Sequence, residues 1–528
     1  MKSRHATGSE AVAHEVGALA DATSTGAWLW PQRHPVLAAC ALYGAFVLLT
    51  FVLYRGLWAT LYYKDDYHWL SIADEVARAP WRLIVAEPQN AAAGVRPVQR
   101  ALFGLLYTFF GIYAGAYHVA SMLLHALNAT LVFSVLRRLL GDVDGLGSAR
   151  RLTLAGFGAF VFASTSLHAA AVVWIAAMST LMVTGATLVL FRYILAFENR
   201  LQRPAVLLGA VLLFVWALLC KNTAVAFPLV LALYLFVCSP TRRWGGGRGR
   251  LVLVCAVLGI GWVLLTKLWV GGLQLGSAFG EDGAYALGTN VPLNVLGAFM
   301  ATIVAPRTYE WLLPGVAYPY VALPLLLATL AVLRGLPDAR SALLGLGWVL
   351  LSALPTALFD YRQYSAEQIM VSRYAYLPLV GGCIVLVLLV QGLFGGRRAT
   401  RFFGAFVVLA AASHVAFHAR VLRGVIDDQQ AYGRSRKLLY DSTLDALRER
   451  ASPGSEVFAL GWPVPEIYLP NIGQHFFAPH GLKLRGPREY EALYAQPPED
   501  EVKRFVAYWD ARSTVLTVRP ARLPTARE

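Results

Sequence analysis

Charged side chains are scarce in this sequence of 528 residues, since Asp, Glu, Lys and Arg together make up 15% of it. In a soluble protein about a quarter of the residues would be charged. Apolar residues account for 57%, and the mean hydropathy is +0.54. This composition argues against a soluble globular protein. A membrane span needs about 20 mostly apolar residues, and runs near that length recur at 36–61, 204–219, 250–266, 318–333 and 374–395.

Cysteine and metal-ligand motifs are scarce as well. The five cysteines lie within or at the edge of apolar runs, so no disulfide framework is expected in the C-terminal region. The polar residues 1–34 contain no apolar core ending in a cleavage site, so we expect no cleavable signal peptide there. There is no HExxH motif and no paired Cys, and Glu281-Asp282 lies far from the other acidic candidates. A divalent cation held by aspartate remains open.

Basic residues outnumber acidic ones by 46 to 31, which gives a net charge of +15. Such a charge is typical of nucleic-acid-binding proteins, but here the arginines occupy short loops between apolar runs. That is the positive-inside pattern of membrane proteins, so no nucleic acid partner is expected. The clusters assigned to the cytoplasm are Arg33; Arg137, Arg138, Arg150 and Arg151; Arg192, Arg200 and Arg203; Arg242, Arg243, Arg248 and Arg250; Arg334 and Arg340; and Arg397, Arg398 and Arg401.

Keeping all of these clusters on one side predicts about eleven transmembrane helices in an all-α polytopic membrane protein. Two other apolar stretches, 97–113 and 291–305, are predicted to lie on or dip into the outer face, because a crossing by either would move later clusters to the wrong side. The predicted spans are 35–61, 114–137, 152–167, 170–191, 204–220, 222–239, 250–270, 318–333, 341–358, 374–395 and 402–419.

This topology divides the chain into three parts, with a multi-pass location in the inner or plasma membrane. Residues 1–34 form a cytoplasmic segment, residues 35–420 a membrane domain with a large first outer loop (62–113), and residues 421–528 a small extracytoplasmic region. Within that last region, residues 421–450 have a helical pattern. Two short runs, starting at Val457 and Val515, favour β-strands, which predicts a small α/β appendage.

Two adjacent carboxylates, Asp65 and Asp66, follow the first predicted span. A charge at bilayer depth costs at least ~2.5–3.5 kcal/mol, so the pair is expected to face water, a partner or a substrate. Alternatively, Asp66 caps the helix that the pattern predicts from Tyr67 to Ala79. Adjacent residues do not share a helix face, so the two carboxylates are expected to have different roles.

Cationic and polar candidates are expected on the same side of the membrane. Each has an ordinary alternative: Arg96 and Arg373 can extend to lipid headgroups, His168 can cap a tight turn, and Lys221 can anchor the topology. Together with the carboxylates they suit a transfer reaction in which a carboxylate deprotonates an acceptor and cations neutralise a departing phosphate. A separate set on the second span, His118, His125 and Asn128, shares one helix face and predicts an interhelical hydrogen-bond seam.

Several short motifs resemble those of one family in the same order. An Asp-Asp pair in the first outer loop is typical of the GT-C superfamily of membrane glycosyltransferases. Two departures are Ala169, where the family has Pro, and Asn222, where it has an acidic residue; the tandem helical repeats of many relatives are absent. The motifs that resemble TMTC-type O-mannosyltransferases and their bacterial relatives are Arg96-Pro97, Tyr117–Asn128, Leu167–Ser179, Cys220-Lys-Asn-Thr-Ala and Ser372-Arg-Tyr-Ala-Tyr-Leu-Pro378.

The resemblance implies an inverting glycosyltransferase of the GT-C type. It would move a sugar, mannose by resemblance, from a polyprenyl-phosphate donor held in the membrane lipid to a hydroxyl of a protein, lipid or glycan acceptor. Asp65 would be the general base and Asp66 would orient the acceptor, cap a helix or share a cation. The residues implied in binding phosphate or sugar are Arg96, His168, Lys221, Arg373 and Tyr374. The alternatives are a transporter or flippase of a lipid-linked saccharide and a non-catalytic scaffold.

Overall fold

A computed structural model of the chain describes most of the predicted membrane domain and of the C-terminal region. The N-terminal segment 1–33, the outer loop 359–372 and Glu281-Asp282 lie outside the described residues. Those residues are 34–63, 65–83, 95–142, 146–235, 239, 247–271, 288–304, 309, 312–313, 316–336, 338–358, 373–394, 397–464, 466–495, 503–510 and 515–521.

The described residues are mostly helical, as the apolar periodicity predicts. The principal helices are α1 (Pro35–Leu53), α2 (Asp66–Arg78), α3 (Pro97–Phe110), α4 (Ala114–Leu139), α5 (Ser148–Ser164), α6 (Ala169–Val173), α7 (Met178–Phe197), α8 (Pro204–Cys220), α9 (Phe227–Leu233), α10 (Gly247–Gly271), α11 (Asn290–Ala301), α12 (Pro319–Arg334), α13 (Ala339–Ala357), α14 (Pro378–Leu393), α15 (Arg397–Leu447), α16 (Leu469–Ile472) and α17 (Pro487–Ala495).

A small mixed sheet follows α15. Its strands are β1 (Glu456–Leu460), β2 (Lys483–Arg485), β3 (Arg504–Asp510) and β4 (Val515–Pro520), in the order β2-β1-β3-β4. Strand β1 pairs in parallel with β2 and β3, and β4 is antiparallel to β3. The two runs that favour β-structure in the sequence form β1 and β4, so the predicted small α/β region is confirmed.

Membrane-length helices are present in the described part of the chain. Six are long and apolar enough to cross a bilayer, and shorter apolar helices occur as well. Each of the eleven predicted spans overlaps a helix, and α3 and α11 occupy most of the two stretches predicted to lie at the outer face. The predicted fold class, an all-α polytopic membrane protein with a small C-terminal α/β region, is confirmed. The orientation and the domain boundaries stay predictions; α15 runs through residue 420 without a break.

Among the spans that differ from their predicted bounds, two bear on the site. The first was predicted to reach residue 61, but α1 ends at Leu53 because the chain turns at Gly56, whose φ of 88° is costly for residues with a Cβ. The predicted span 170–191 is interrupted: α6 ends at Val173 and α7 begins at Met178, with a 3₁₀ turn (Ile175–Ala177) between them. Apolar composition does not reveal such breaks.

The C-terminal region packs on the loop between α1 and α4, which is the predicted first outer loop. Side chains from both form one continuous apolar cluster that includes Trp69 and Phe103 from the loop and Trp462 and Phe477 from the C-terminal region. Polar contacts join the same surfaces: Ser71 Oγ lies 2.9 Å from Asn471 Oδ1 and 3.1 Å from His475 Nε2, Gln474 Nε2 donates to Asp74 Oδ2 at 3.0 Å, and Tyr440 Oη donates to Tyr67 Oη at 3.3 Å.

Candidate active site

Asp66 connects two segments of the chain through hydrogen bonds to their backbone. It is 1% exposed; its Oδ2 accepts the backbone N–H of Tyr63 at 2.8 Å, and its Oδ1 accepts that of Ala176 at 2.7 Å. The alternative that Asp66 caps α2 is wrong, because both bonds come from outside that helix. Burial and the neighbouring charge of Asp65 raise the pKa of Asp66, and the two N–H bonds oppose this shift. Asp66 thus ties the start of α2 to the turn before α7.

Asp65 differs from its neighbour. Its Oδ1 is buried and has no hydrogen-bond partner among the residues that the structure describes. Asp65 occupies the N-cap position of α2, but its side chain makes no capping bond. Burial raises the pKa of Asp65, while the positive charges of Arg373 and Arg96 oppose the rise. Its own backbone N–H and the indole of Trp174 also lower the pKa of Asp65. A carboxylate with one oxygen unpaired and two arginines nearby is available to accept a proton from a bound molecule.

Arg373 lies between two aromatic rings just before α14. Its guanidinium carbon is 4.1 Å from the ring centroid of Trp174 and 4.7 Å from that of Tyr374, and its Nη2 donates to Tyr374 Oη at 2.8 Å. A guanidinium held against aromatic rings suits recognition of phosphate or carboxylate oxygens, and the charge of Arg373 acts on Asp65. Arg373 and Tyr374 therefore belong to the same site as Asp65.

The other two predicted cations approach the beginning of α7. Lys221, which follows α8, donates from Nζ to Thr180 Oγ1 at 2.7 Å. Arg96, which precedes α3, has its Nη1 3.5 Å from both Ser179 Oγ and Gln99 Oε1. Burial lowers the pKa of Lys221, and the positive charges of Arg96 and Arg373 lower it further; the same two charges act on Asp65. The three cations thus lie within electrostatic range of one another and share one region of the molecule.

A series of three aromatic rings, with an arginine at each end, extends from Arg373 to α15. The Trp174 ring meets Tyr63 edge-on at 6.2 Å, the Tyr63 ring lies 4.6 Å from that of Tyr432, and the guanidinium of Arg436 lies 4.0 Å from the Tyr432 centroid. We call these residues the aromatic series. It crosses from Arg373 to the long helix and passes the segment that carries Asp65.

The C-terminal region also approaches the carboxylate pair. Burial raises the pKa of Tyr468 to about 12, and the charges of Asp65 and Asp66 add to the shift, so its phenol lies within electrostatic range of both. Sequence reasoning missed Trp174, Tyr432 and Tyr468. Trp174 falls within a motif quoted above, but the other two lie far along the chain and carry no local signal.

Comparisons with known proteins give a distant structural likeness. No protein-family model matches the sequence, and no curated protein matches it. The crystal structure of ArnT from Cupriavidus metallidurans in the apo state covers 89% of this chain and 93% of its own, at 14% identity and a TM-score of 0.44. The Archaeoglobus fulgidus oligosaccharyltransferase, tethered with an acceptor peptide, covers 94% of this chain and 75% of its own, at 12% identity and a TM-score of 0.43. These similarities are too low to assign an activity.

His168 lies in a different group from the other predicted site residues. It is fully buried, its Nε2 is 2.8 Å from the carbonyl oxygen of Phe162, and its ring lies 4.6 Å from Tyr376 and 5.1 Å from His125. None of these partners belongs to the group around Asp65. We call His125, Asn128, His168 and Tyr376 the histidine group.

The predicted hydrogen-bond seam on α4 is confirmed. Thr60 Oγ1 lies 2.6 Å from His118 Nε2, and His125 Nδ1 lies 2.8 Å from Tyr376 Oη. Asn128 Nδ2 donates to Tyr376 Oη at 3.1 Å and to the carbonyl of Leu181 at 2.9 Å. These bonds join α4 to its neighbours.

The donor set around Asp65 does not fit a divalent cation. Both oxygens of Asp66 accept backbone N–H groups, and the charges acting on Asp65 are those of two arginines. Among the described residues no three His, Cys, Asp or Glu side chains come together as metal ligands. Oxygen-rich sites with several carboxylates are what Mg²⁺ and Ca²⁺ prefer, whereas this arrangement suits an anion.

Proposed function

We propose that the protein is a membrane glycosyltransferase of the GT-C type that uses a polyprenyl-phosphate sugar. The observation that carries the proposal is the buried Oδ1 of Asp65, which has no hydrogen-bond partner among the described residues and lies within electrostatic range of Arg373 and Arg96. The same two arginines lie within electrostatic range of Lys221. A general base and a phosphate-binding group are the two parts that such a transfer needs.

In this reaction Asp65 accepts the proton of an acceptor hydroxyl. The hydroxyl oxygen attacks the anomeric carbon of the sugar while the bond from that carbon to the phosphate oxygen breaks, so the configuration inverts. The polyprenyl phosphate leaves with the electron pair, and Arg373, Lys221 and Arg96 stabilise its charge. Asp66 takes no direct part and fixes the position of Asp65.

The finer assignments follow the resemblance in the sequence. Mannose is the proposed sugar, and the acceptor is a hydroxyl of a protein, a lipid or a glycan at the outer face of the cell membrane. Tyr374 contributes by fixing Arg373, to whose Nη2 it is bonded at 2.8 Å. His168 receives no substrate-binding role in this proposal because its contacts are to the histidine group.

The experiment is a transfer assay with the purified protein in lipid. Wild type and Asp65→Asn are given radiolabelled polyprenyl-phosphate mannose and a membrane extract as acceptor. We expect label to move into the extract with wild type and at least ~10²-fold more slowly with Asp65→Asn, with equal thermal unfolding temperatures. Near-wild-type transfer by Asp65→Asn would remove Asp65 from the chemistry.

The same preparation distinguishes the alternative function. If a panel of lipid-linked sugars gives no turnover, the protein is tested in vesicles for movement of a lipid-linked saccharide between leaflets. Movement without cleavage of the sugar–phosphate bond would replace the transferase with a transporter or flippase.

A further inference from the structure

One short segment contacts Asp66 and the three cations of the site. It comprises residues 174–180, which are the 3₁₀ turn before α7 and the first residues of that helix. The contacts are Trp174 with Arg373 (4.1 Å to the ring centroid), the Ala176 N–H with Asp66 (2.7 Å), Ser179 Oγ with Arg96 (3.5 Å) and Thr180 Oγ1 with Lys221 (2.7 Å).

The break between α6 and α7 makes these contacts possible. In an uninterrupted helix the N–H of Ala176 would be used within the helix, whereas here it binds Asp66, and the Ala176 carbonyl accepts from Gln99 Nε2 at 3.0 Å. Side chains thus satisfy backbone groups that the break releases. The segment is held from both sides and provides a rigid base for the cations.

Thr180 makes the shortest of the cation contacts. Thr180 is 5% exposed, and its Oγ1 accepts a hydrogen bond from the ammonium of Lys221, which lies just after α8. A lysine has a flexible four-carbon stem, and ordering it on binding costs free energy. The same ammonium lies 5.8 Å from the ring centroid of Tyr374, which also stacks with Arg373. The bond to Thr180 therefore fixes the lysine on the side where Arg373 lies.

We infer that Thr180 is a positioning residue that holds Lys221 ready to bind the phosphate of a polyprenyl phosphate together with Arg373. The inference rests on the proposed function. Thr180 does not touch the substrate; it acts by reducing the cost of ordering the lysine. Its removal weakens phosphate binding and leaves the proton transfer to Asp65 unchanged.

Thr184, one helical turn after Thr180 in α7, offers a matched control. Thr184 is fully buried on the same helix, and its Oγ1 has no hydrogen-bond partner among the described residues. Thr180→Val and Thr184→Val make the same chemical change in the same helix, but only the first removes a bond to a cation. Thr180→Ser keeps the hydroxyl and serves as the conservative variant.

The test measures binding of undecaprenyl phosphate to the full-length protein in lipid nanodiscs. A hydrogen bond to a charged group is stronger than one between neutral groups, and the lysine recovers part of the loss through other contacts, so we expect Thr180→Val to raise Kd about tenfold. Thr180→Ser and Thr184→Val are expected to stay within about twofold of wild type. In Lys221→Met, adding Thr180→Val is expected to change Kd no further, because the two residues act as a unit. In turnover, Thr180→Val is expected to raise KM for the donor and to leave kcat unchanged.

Failure of the inference and failure of the proposed function give different results. If wild type binds undecaprenyl phosphate and Thr180→Val binds it equally well, the positioning role is wrong while the function stands. Equal losses in Thr180→Val and Thr184→Val, or no recovery in Thr180→Ser, would reveal a packing effect and also overturn the inference. If wild type does not bind the probe and turns over no lipid-linked sugar, the proposed function itself fails.

Discussion

Two polar groups of this protein, the site around Asp65 and the histidine group, differ in their charged side chains. Each contains a buried atom without a described hydrogen-bond partner, Asp65 Oδ1 and His168 Nδ1, but only the site combines a carboxylate with cationic residues. In the histidine group, Tyr376 binds both His125 and Asn128, and His125 also reaches the carbonyl of Ala163 at 3.0 Å. In the site, a carboxylate oxygen of Asp65 is left without a described partner while cations surround it. The first arrangement is a seam between helices, and the second is prepared for a ligand.

The comparison teaches that burial alone does not mark a functional residue here. Asp66 is more buried than Asp65, yet both of its oxygens accept backbone N–H groups. His168 is fully buried as well, and it is bonded through Nε2 while its Nδ1 has no described partner. An unpaired buried polar atom costs free energy. Such a cost is retained more readily where binding of a substrate supplies the missing partner. The following predictions test this division between the two groups.

The largest stability effect is expected from Asp66→Asn. An Asn side chain has only one acceptor oxygen, so its amide would face one of the two backbone N–H groups that Asp66 now satisfies, leaving a buried donor unpaired. The expected loss is about 2–3 kcal/mol, visible as a lower unfolding temperature in detergent. Asp65→Asn is the control and is expected to leave that temperature unchanged. The reverse pattern would exchange the roles assigned to the two carboxylates.

Arg373→Gln is expected to change both the activity and its pH dependence. Loss of a cation beside the departing phosphate is expected to lower kcat/KM by about 10²-fold at neutral pH. Asp65 must be ionised to accept a proton, so activity falls as the pH drops through its pKa. Arg373 now opposes the rise of that pKa, so its removal moves the acidic limb of the pH–rate profile to higher pH.

The control for Arg373→Gln is Arg436→Gln, at the opposite end of the aromatic series. This variant also removes an arginine stacked on a ring, 4.0 Å from the Tyr432 centroid, but Arg436 is not among the charges that act on Asp65. We expect its acidic limb to match wild type. An equal shift in both variants would show that general surface charge, and not Arg373, sets the pKa of Asp65.

Much of the architecture could be predicted from the sequence because apolar length and arginine position are local signals. Helices lie in every predicted span, and the β-prone runs form strands. The break at residues 174–177 could not be predicted, because it depends on Asp66 and Gln99, side chains from other segments that satisfy the released backbone groups.

The sequence predicts those members of the site whose residue type alone, acidic or cationic, indicates a role. Asp65, Arg96, Lys221, Arg373 and Tyr374 lie in one region, as expected for a single site. Because Asp65 and Asp66 are adjacent, the sequence predicts different roles for them. It does not predict which of the two carboxylates has its oxygens bonded to backbone N–H groups, because that depends on tertiary structure. His168 was chosen from a motif; its neighbours on α4 and before α14 assign it to the histidine group. Tyr468 approaches the pair only through packing of the C-terminal region.

The smallest expected effect comes from Tyr376→Phe, which removes the hydroxyl shared by His125 and Asn128. Interhelical bonds in membranes average about 0.6 kcal/mol, so loss of both is expected to cost about 1 kcal/mol and to lower the unfolding temperature slightly. KM and kcat are expected to stay at their wild-type values. Tyr374→Phe is the matched control, two residues earlier, and removes the acceptor of Arg373 Nη2. It is expected to raise KM for the donor with little change in stability. If Tyr376→Phe changed the kinetics and Tyr374→Phe did not, the histidine group would be part of the active site and the division between the two groups would be wrong.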